Sequence, residues 1–379
     1  MTITDLPTAS FWRPGDHPGE RQFAHVGPVA LERGDSLPDV TVAYETWGTL
    51  NAARDNAVLV EHALTGDAHV EGQAGPGHAT PGWWDGLVGP GRPLDTDRLF
   101  VVASNVLGGC QGTTGPSSDA PDGHPWGGRF PAITIRDQIT VEVLLADQLG
   151  IDRWAGVLGG SMGGMRAIEW ATSHPERVET CIVIASTAYA TADQIAWCQP
   201  QLLAIRSDPR FHAGDYYEHG VAPLDGLGIA RRIAHVTYRH EGELSERFGR
   251  DAQPGEEPLG RGGRFAVESY LDHHAGKLGA RFDANSYLVL SEAMNSHDIG
   301  RDRGGVAAAL AAFTGRLVVA GVDTDRLYPA RLSEEIAALR PGTTLKHISS
   351  RFGHDGFLIE IERVGQIIRE AFDGGPGDV

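Results

Sequence analysis

The chain has 379 residues, enough for one large α/β domain carrying an insertion, with 41% apolar and 22% charged residues, the proportions of a globular enzyme rather than a disordered chain. A formal charge of −18 argues against a non-specific nucleic-acid or anionic-membrane binder, since those partners select basic faces; it leaves room for a phosphate-bearing small substrate held by a few local cations. Three cysteines without CxxC spacing make no disulfide framework and fit a reducing compartment. The N-terminal stretch has neither a basic nor an apolar leader segment and no apolar run is bilayer-long, so a cytoplasmic protein with no membrane partner is expected.

In chain order, VALERGDSLPDVTVAYETWG (29–48) carries two β-rich runs around a turn signal and predicts an antiparallel edge hairpin. AVLVEHAL (57–64) is a nearly continuous apolar run, as in a parallel strand buried on both faces, and the polar loop TGDAH follows. RLFVVASNVLG (98–108) predicts another such strand and ITVEVLLADQLGI (139–151) a helix. WAGVLGG (154–160) is a strand, MGGMRAIEWATSHP (162–175) a helix and VETCIVIAS (178–186) a strand. Alternation of this kind specifies a mostly parallel sheet covered on both faces. The rhythm then breaks. Residues 187–303 are helix-like and irregular, with 245–264 an exposed, mobile loop. It resumes with strand 316–322, helix 330–340, strand 343–349 and a last helix over 357–372. The expected organisation is one α/β core in two parts, 1–186 and 304–379, interrupted by a helical insertion. The 50 glycines cluster in segments such as 75–93 and 107–116, which read as long shaped loops of the kind that line active sites.

Gly159-x-Ser161-x-Gly163 lies between a predicted strand and a predicted helix, the context of a nucleophile elbow. A serine hydroxyl is a poor nucleophile at neutral pH and needs an adjacent base. In this architecture an acid and then a histidine follow the serine along the chain. The strand 316–322 runs into Asp323-Thr324-Asp325, and His354 falls on the loop before the last helix. The residues alone leave open which aspartate serves and which caps a turn. Oxyanion donors are expected from the backbone N–H groups of Met162 and Leu64. His62, His69, His273 and His274 offer no convincing ligand set, so no metal is expected. Cys110 reads as a loop-packing residue.

Taken together, YETWGTLN (44–51), HALTGDAH (62–69), residues 83–118, LGGSMGGMRAIEWA (158–171), ARRIAHVTYR (230–239), VDTDRLYP (322–329) and FGHDGFL (352–358) resemble the homoserine O-acetyltransferase family of methionine biosynthesis. The resemblance spans nearly the whole chain. It implies an α/β-hydrolase fold, a nucleophile at Ser161, a base at His354 and Asp325 as the acid. It also implies Arg231 and Asp355 as the groups holding L-homoserine, and acetyl-CoA as co-substrate with no permanently bound cofactor. The insertion corresponds to a lid that forms a homodimer contact. A guanidinium for the carboxylate and a carboxylate for the ammonium suit a zwitterionic acceptor. The rivals are a plain serine hydrolase on the same triad, an O-acyltransferase using succinyl-CoA or L-serine, and a non-catalytic binding module on the same scaffold.

Overall fold

The computed structural model describes residues 11–260 and 262–373. Residues 1–10, the first half of the N-terminal stretch in which no leader segment is expected, therefore lie outside the described residues. β1 (Gln22–Ala30) and β2 (Ser36–Trp47) form the predicted hairpin. Its turn sits at 31–35, closed by Leu31 N–H on Asp35 O, slightly earlier than the sequence signal. Pro38 consequently falls inside β2. It is tolerated because the ladder shifts register there, between Gly27 and Val29, and the strand on the other side of β2 pairs only with Tyr44–Trp47 further along.

β3 (Ala57–Glu61) follows, then the short strands β4 (Val88–Gly89) and β5 (Leu94–Asp95), β6 (Phe100–Ser104), α1 (Ile135–Leu149) and β7 (Trp154–Gly160). After α2 (Met162–Ser173) and β8 (Val178–Ile184) the chain leaves the sheet. It builds α3 (Ala192–Arg206), α4 (Leu224–Tyr238), α5 (Glu241–Phe248), α6 (Ala266–Gly279) and α7 (Ala284–Asn295). After α8 (Val306–Ala312) it returns through β9 (Arg316–Val322), α9 (Arg331–Leu339), β10 (Thr344–Ile348), α10 (Gly356–Ile359) and α11 (Ile361–Asp373). The predicted last helix is thus two, parted at Glu360, where ψ reaches 56°.

The eight-stranded sheet runs β1-β2-β6-β3-β7-β8-β9-β10, antiparallel at β1/β2 and β2/β6 and parallel from β6 onward. Alternate strand residues supply two cores. Leu59, Val157 and Val183 pack with Ile139, Leu145 and Ile168 of α1 and α2 on one face. Val58, Leu158 and Ile182 pack with Val364, Ile367 and Ile368 of α11 on the other. Burial on both sides explains the unbroken apolar runs in the sequence. α1 starts at a capping box between Thr134 and Asp137 and ends at Gly150 in the left-handed conformation. Asp137 also accepts the Glu32 N–H at 2.6 Å, tying α1 to the hairpin. The loop expected at 245–264 starts later, because 245–248 complete α5; beyond the helix it is clasped, with Gln253 N–H donating to Arg264 O and the Arg264 guanidinium gripping Glu256.

Candidate active site

The strands from β3 onward point their C-terminal ends the same way, so the loops leaving them gather at one edge. Ser161 stands between β7 and α2 with φ 58° and ψ −123°, a strained conformation for a residue with a side chain. Its tight turn depends on Gly163: a Cβ there would lie 2.0 Å from Glu61 O at the end of β3. The strand holding the serine and the strand leading to the 62–69 loop are thereby pressed together.

His354 lies on the turn after β10, and its Nε2 is 2.9 Å from Ser161 Oγ. On the other side its Nδ1 donates to Asp325 Oδ2 at 2.6 Å. All three residues are buried. The second oxygen of Asp325 accepts the N–H groups of Leu327 and Tyr328, each at 2.8 Å, which fixes the carboxylate beyond β9. Asp323 faces elsewhere, accepting from Ser350 N–H and Ser349 Oγ at 3.0 Å each. The choice that the residues left open is therefore geometric: Asp325 reaches the imidazole and Asp323 braces the neighbouring loop. Tyr328 stacks on the His354 ring at 5.1 Å, Tyr238 of α4 lies at 5.7 Å and the Phe357 ring at 5.3 Å. Nothing in the sequence pattern pointed to these aromatic walls.

Met162 opens α2, so its N–H is one of the donors a helix start leaves without an intrahelical acceptor. Leu64 lines the same small cavity as Met165 of α2. Its loop is held by His62, whose Nδ1–H donates to Ala63 O at 2.8 Å while Nε2 accepts the Val106 N–H at 3.1 Å. Burial, with Arg166 nearby, lowers the His62 pKa to about 3, so the ring stays neutral and the tautomer is fixed by its two partners. Beneath it, the buried Arg166 of α2 bridges Glu61 of β3 and Glu142 of α1.

Arg231 of α4 lies over the Tyr238 ring, 5.4 Å from its centre, and its buried Nε has no partner among the described residues. Asp355 follows the histidine and is engaged by Arg239 at 3.2 Å, a contact the sequence reading missed; Arg239 also grips Glu243 at 2.8 Å. Burial pushes the Asp355 carboxyl up, against the pull of His354, Arg231 and Arg239. Next to the triad is a narrow cavity of about 50 Å³, lined by Leu64, Met165, Trp197, Cys198, Tyr238 and Tyr328 among others, with no lysine, arginine or histidine in its wall. Cys110 is buried in the core, and burial pushes its thiol up to about 12, far from a reactive thiolate.

Of the histidines set aside in sequence, His273 is exposed and His274 half-buried, but His62 and His69 are buried. His69 joins His78 and Glu45 in a buried trio whose ligating atoms lie within 4.8 Å of one another. The sequence reading missed this grouping because Glu45 sits on β2, far from the loop. The two rings are stacked 3.7 Å apart and 12° from parallel, so an ion shared between them would lie well outside both ring planes. His78 Nε2 already accepts the Glu20 N–H, and Glu45 accepts from His69 Nδ1 at 3.0 Å. The trio therefore fits a carboxylate clasp better than a metal centre.

A family model described as alpha/beta hydrolase fold matches residues 56–360. The homoserine O-acetyltransferase of Thermobifida fusca (strain YX) is 60% identical over 372 residues, covering 97% of this chain and 98% of its own. Among solved structures, homoserine O-acetyltransferase from Bacillus anthracis superposes with a TM-score of 0.86 at 27% identity, over 93% of this chain and 97% of that one. The esterase E22 does so with a TM-score of 0.85 at 28% identity, over 93% and 99%.

Proposed function

The chain belongs to the homoserine O-acetyltransferase family of the α/β-hydrolase fold, and from that premise we infer that it moves the acetyl group of acetyl-CoA to the side-chain hydroxyl of L-homoserine in methionine biosynthesis. The observation that carries the chemistry is the continuous line from Ser161 Oγ through His354 to Asp325, at 2.9 and 2.6 Å.

His354 takes the Ser161 proton as Oγ attacks the thioester carbonyl, and the N–H groups of Leu64 and Met162 hold the resulting oxyanion. The C–S bond then breaks and CoA leaves with the proton from His354, giving acetyl-Ser161. Homoserine enters, His354 accepts its hydroxyl proton, and the oxygen attacks the acetyl carbonyl. The proton returns to Ser161 as O-acetylhomoserine departs. Asp325 keeps the imidazole aligned and stabilises its cationic form. The unpartnered Arg231 Nε is suited to the homoserine carboxylate, and Asp355, steadied by Arg239, to its ammonium group. These side chains supply every proton and charge the cycle needs, so acetyl-CoA serves as co-substrate with no resident cofactor or metal. The small cavity beside the triad suits a methyl group and offers no cation to a succinyl carboxylate.

α3 and α4 leave Ile195, Leu203 and Ile229 exposed, which supports a homodimer joined through the lid helices. No helix among the described residues is long and apolar enough to cross a membrane, and a cytoplasmic enzyme is proposed. The discriminating experiment follows CoA release from acetyl-CoA with and without homoserine. Release that depends on homoserine after a first turnover, with O-acetylhomoserine as product, is expected. Equal sustained release without homoserine would favour hydrolysis on the same triad.

A further inference from the structure

The loop that carries Leu64 continues as Thr65-Gly66-Asp67 and forms one wall of an open cleft of about 410 Å³. Thr80 to Trp83 line it as well, as do Lys277 near the end of α6 and Arg281 two residues beyond that helix. Arg281 Nη1 donates to Thr65 O at 2.7 Å, so the guanidinium is fastened one residue away from the proposed oxyanion donor.

Three other arginines between α4 and α6 are spent on carboxylates. Arg232 grips Asp272, Arg264 grips Glu256 and Asp272, and Arg239 grips Glu243 and Asp355. Lys277 and Arg281 form no ion pair among the described residues. Burial, and then the neighbouring Arg231, lower the Arg281 pKa, while Asp67 and Cys110 act the other way. The cleft also holds two carboxylates. Asp67 already faces Arg21 at 4.0 Å and accepts the His69 N–H at 2.9 Å, and Asp85 lies beside Glu71, which accepts the Gly86 N–H.

A protein of net charge −18 repels a polyanionic donor at long range and needs local cations to hold it. We propose that Lys277 and Arg281 bind the phosphate groups of acyl-CoA, so that the donor lies along this cleft with its thioester reaching past Thr65 and Leu64 to Ser161. The assignment rests on the acetyltransferase reading above and adds to it the side from which the donor enters and the residues that recognise it. Guanidinium and ammonium groups together suit a diphosphate, and the bond from Arg281 to Thr65 O sets the pair beside the loop that carries Leu64.

The test compares two donors on the intact enzyme: acetyl-CoA, and S-acetylpantetheine, which keeps the thioester and loses every phosphate. Lys277→Glu changes an exposed helix residue, and Arg281→Gln removes the charge while retaining a donor toward Thr65 O. Each substitution is expected to raise KM for acetyl-CoA on the order of ten-fold, the loss of one charge-assisted phosphate contact, and to shift KM for S-acetylpantetheine less than about two-fold. The rise of KM for acetyl-CoA with added salt should also flatten in the variants. Unchanged KM for acetyl-CoA in both variants, or equal impairment with both donors, would overturn the assignment. Failure of the unsubstituted chain to acetylate Ser161 from either donor would instead overturn the acetyltransferase reading, and this inference with it.

Discussion

Asp323 and Asp325 stand two residues apart beyond β9 and do different work. Asp325 spends one oxygen on His354 and the other on two backbone N–H groups, so it is a fixed anion in a buried site. Asp325→Asn preserves the shape but favours the wrong imidazole tautomer, and kcat is expected to fall by about 10³–10⁴. Asp323→Asn keeps an acceptor for Ser350 N–H and should change kcat less than about three-fold. Steady-state kinetics on the two variants check both. At this scale the sequence exposed what is chemically rare: a serine flanked by glycines, a histidine before the last helix, a carboxylate after a buried strand. It hid what depends on distant segments meeting, such as Tyr328 over His354, Arg239 on Asp355, and His62 as the brace of the oxyanion loop.

At the scale of elements, the elbow is where local sequence and tertiary packing agree. Gly163 is required because Glu61 O, from the adjacent strand, occupies the space a methyl group would need. Backbone at both ends cannot yield cheaply, so Gly163→Ala is expected to destabilise the fold by about 3 kcal/mol or more. Gly276, inside α6 with nothing within 4 Å of a Cβ, gives the opposite expectation. Gly276→Ala should stabilise by up to about 1 kcal/mol through the lower entropy of the unfolded chain. Chemical denaturation of both variants measures the contrast. Strands and helices of the core were legible because two-sided burial writes continuous apolar runs. The break between α10 and α11 was not, since the apolar period continues through Glu360 while the backbone turns.

Across the whole molecule, buried imidazoles set a pH dependence. His62 and His297 are both held neutral, chiefly by burial, at about 3 and about 4. The unfolded chain protonates them near 6.5, so below that pH it binds protons the folded chain refuses. Their contribution is therefore fully present above about pH 6.5 and declines as pH falls toward 4, by about 1.4 kcal/mol per pH unit for each histidine. Urea denaturation at pH 7, 6 and 5 should show falling stability; a flat or rising profile would contradict the buried neutral assignment. The order of layers and the interruption between β8 and β9 were readable from rhythm alone. The approach of α4 to the triad was not, because Tyr238 reaches the His354 ring, and Arg231 lies over Tyr238, only through tertiary packing.

Everything depends on the hydroxyl of residue 161 becoming an ester in mid-cycle. Intact-protein mass spectrometry after brief exposure to acetyl-CoA without acceptor, followed by peptide mapping, tests that directly. The expected result is a gain of one acetyl group on the peptide containing Ser161, absent in Ser161→Ala and discharged by adding homoserine. Acetyl transfer to homoserine at an undiminished rate in Ser161→Ala would contradict it.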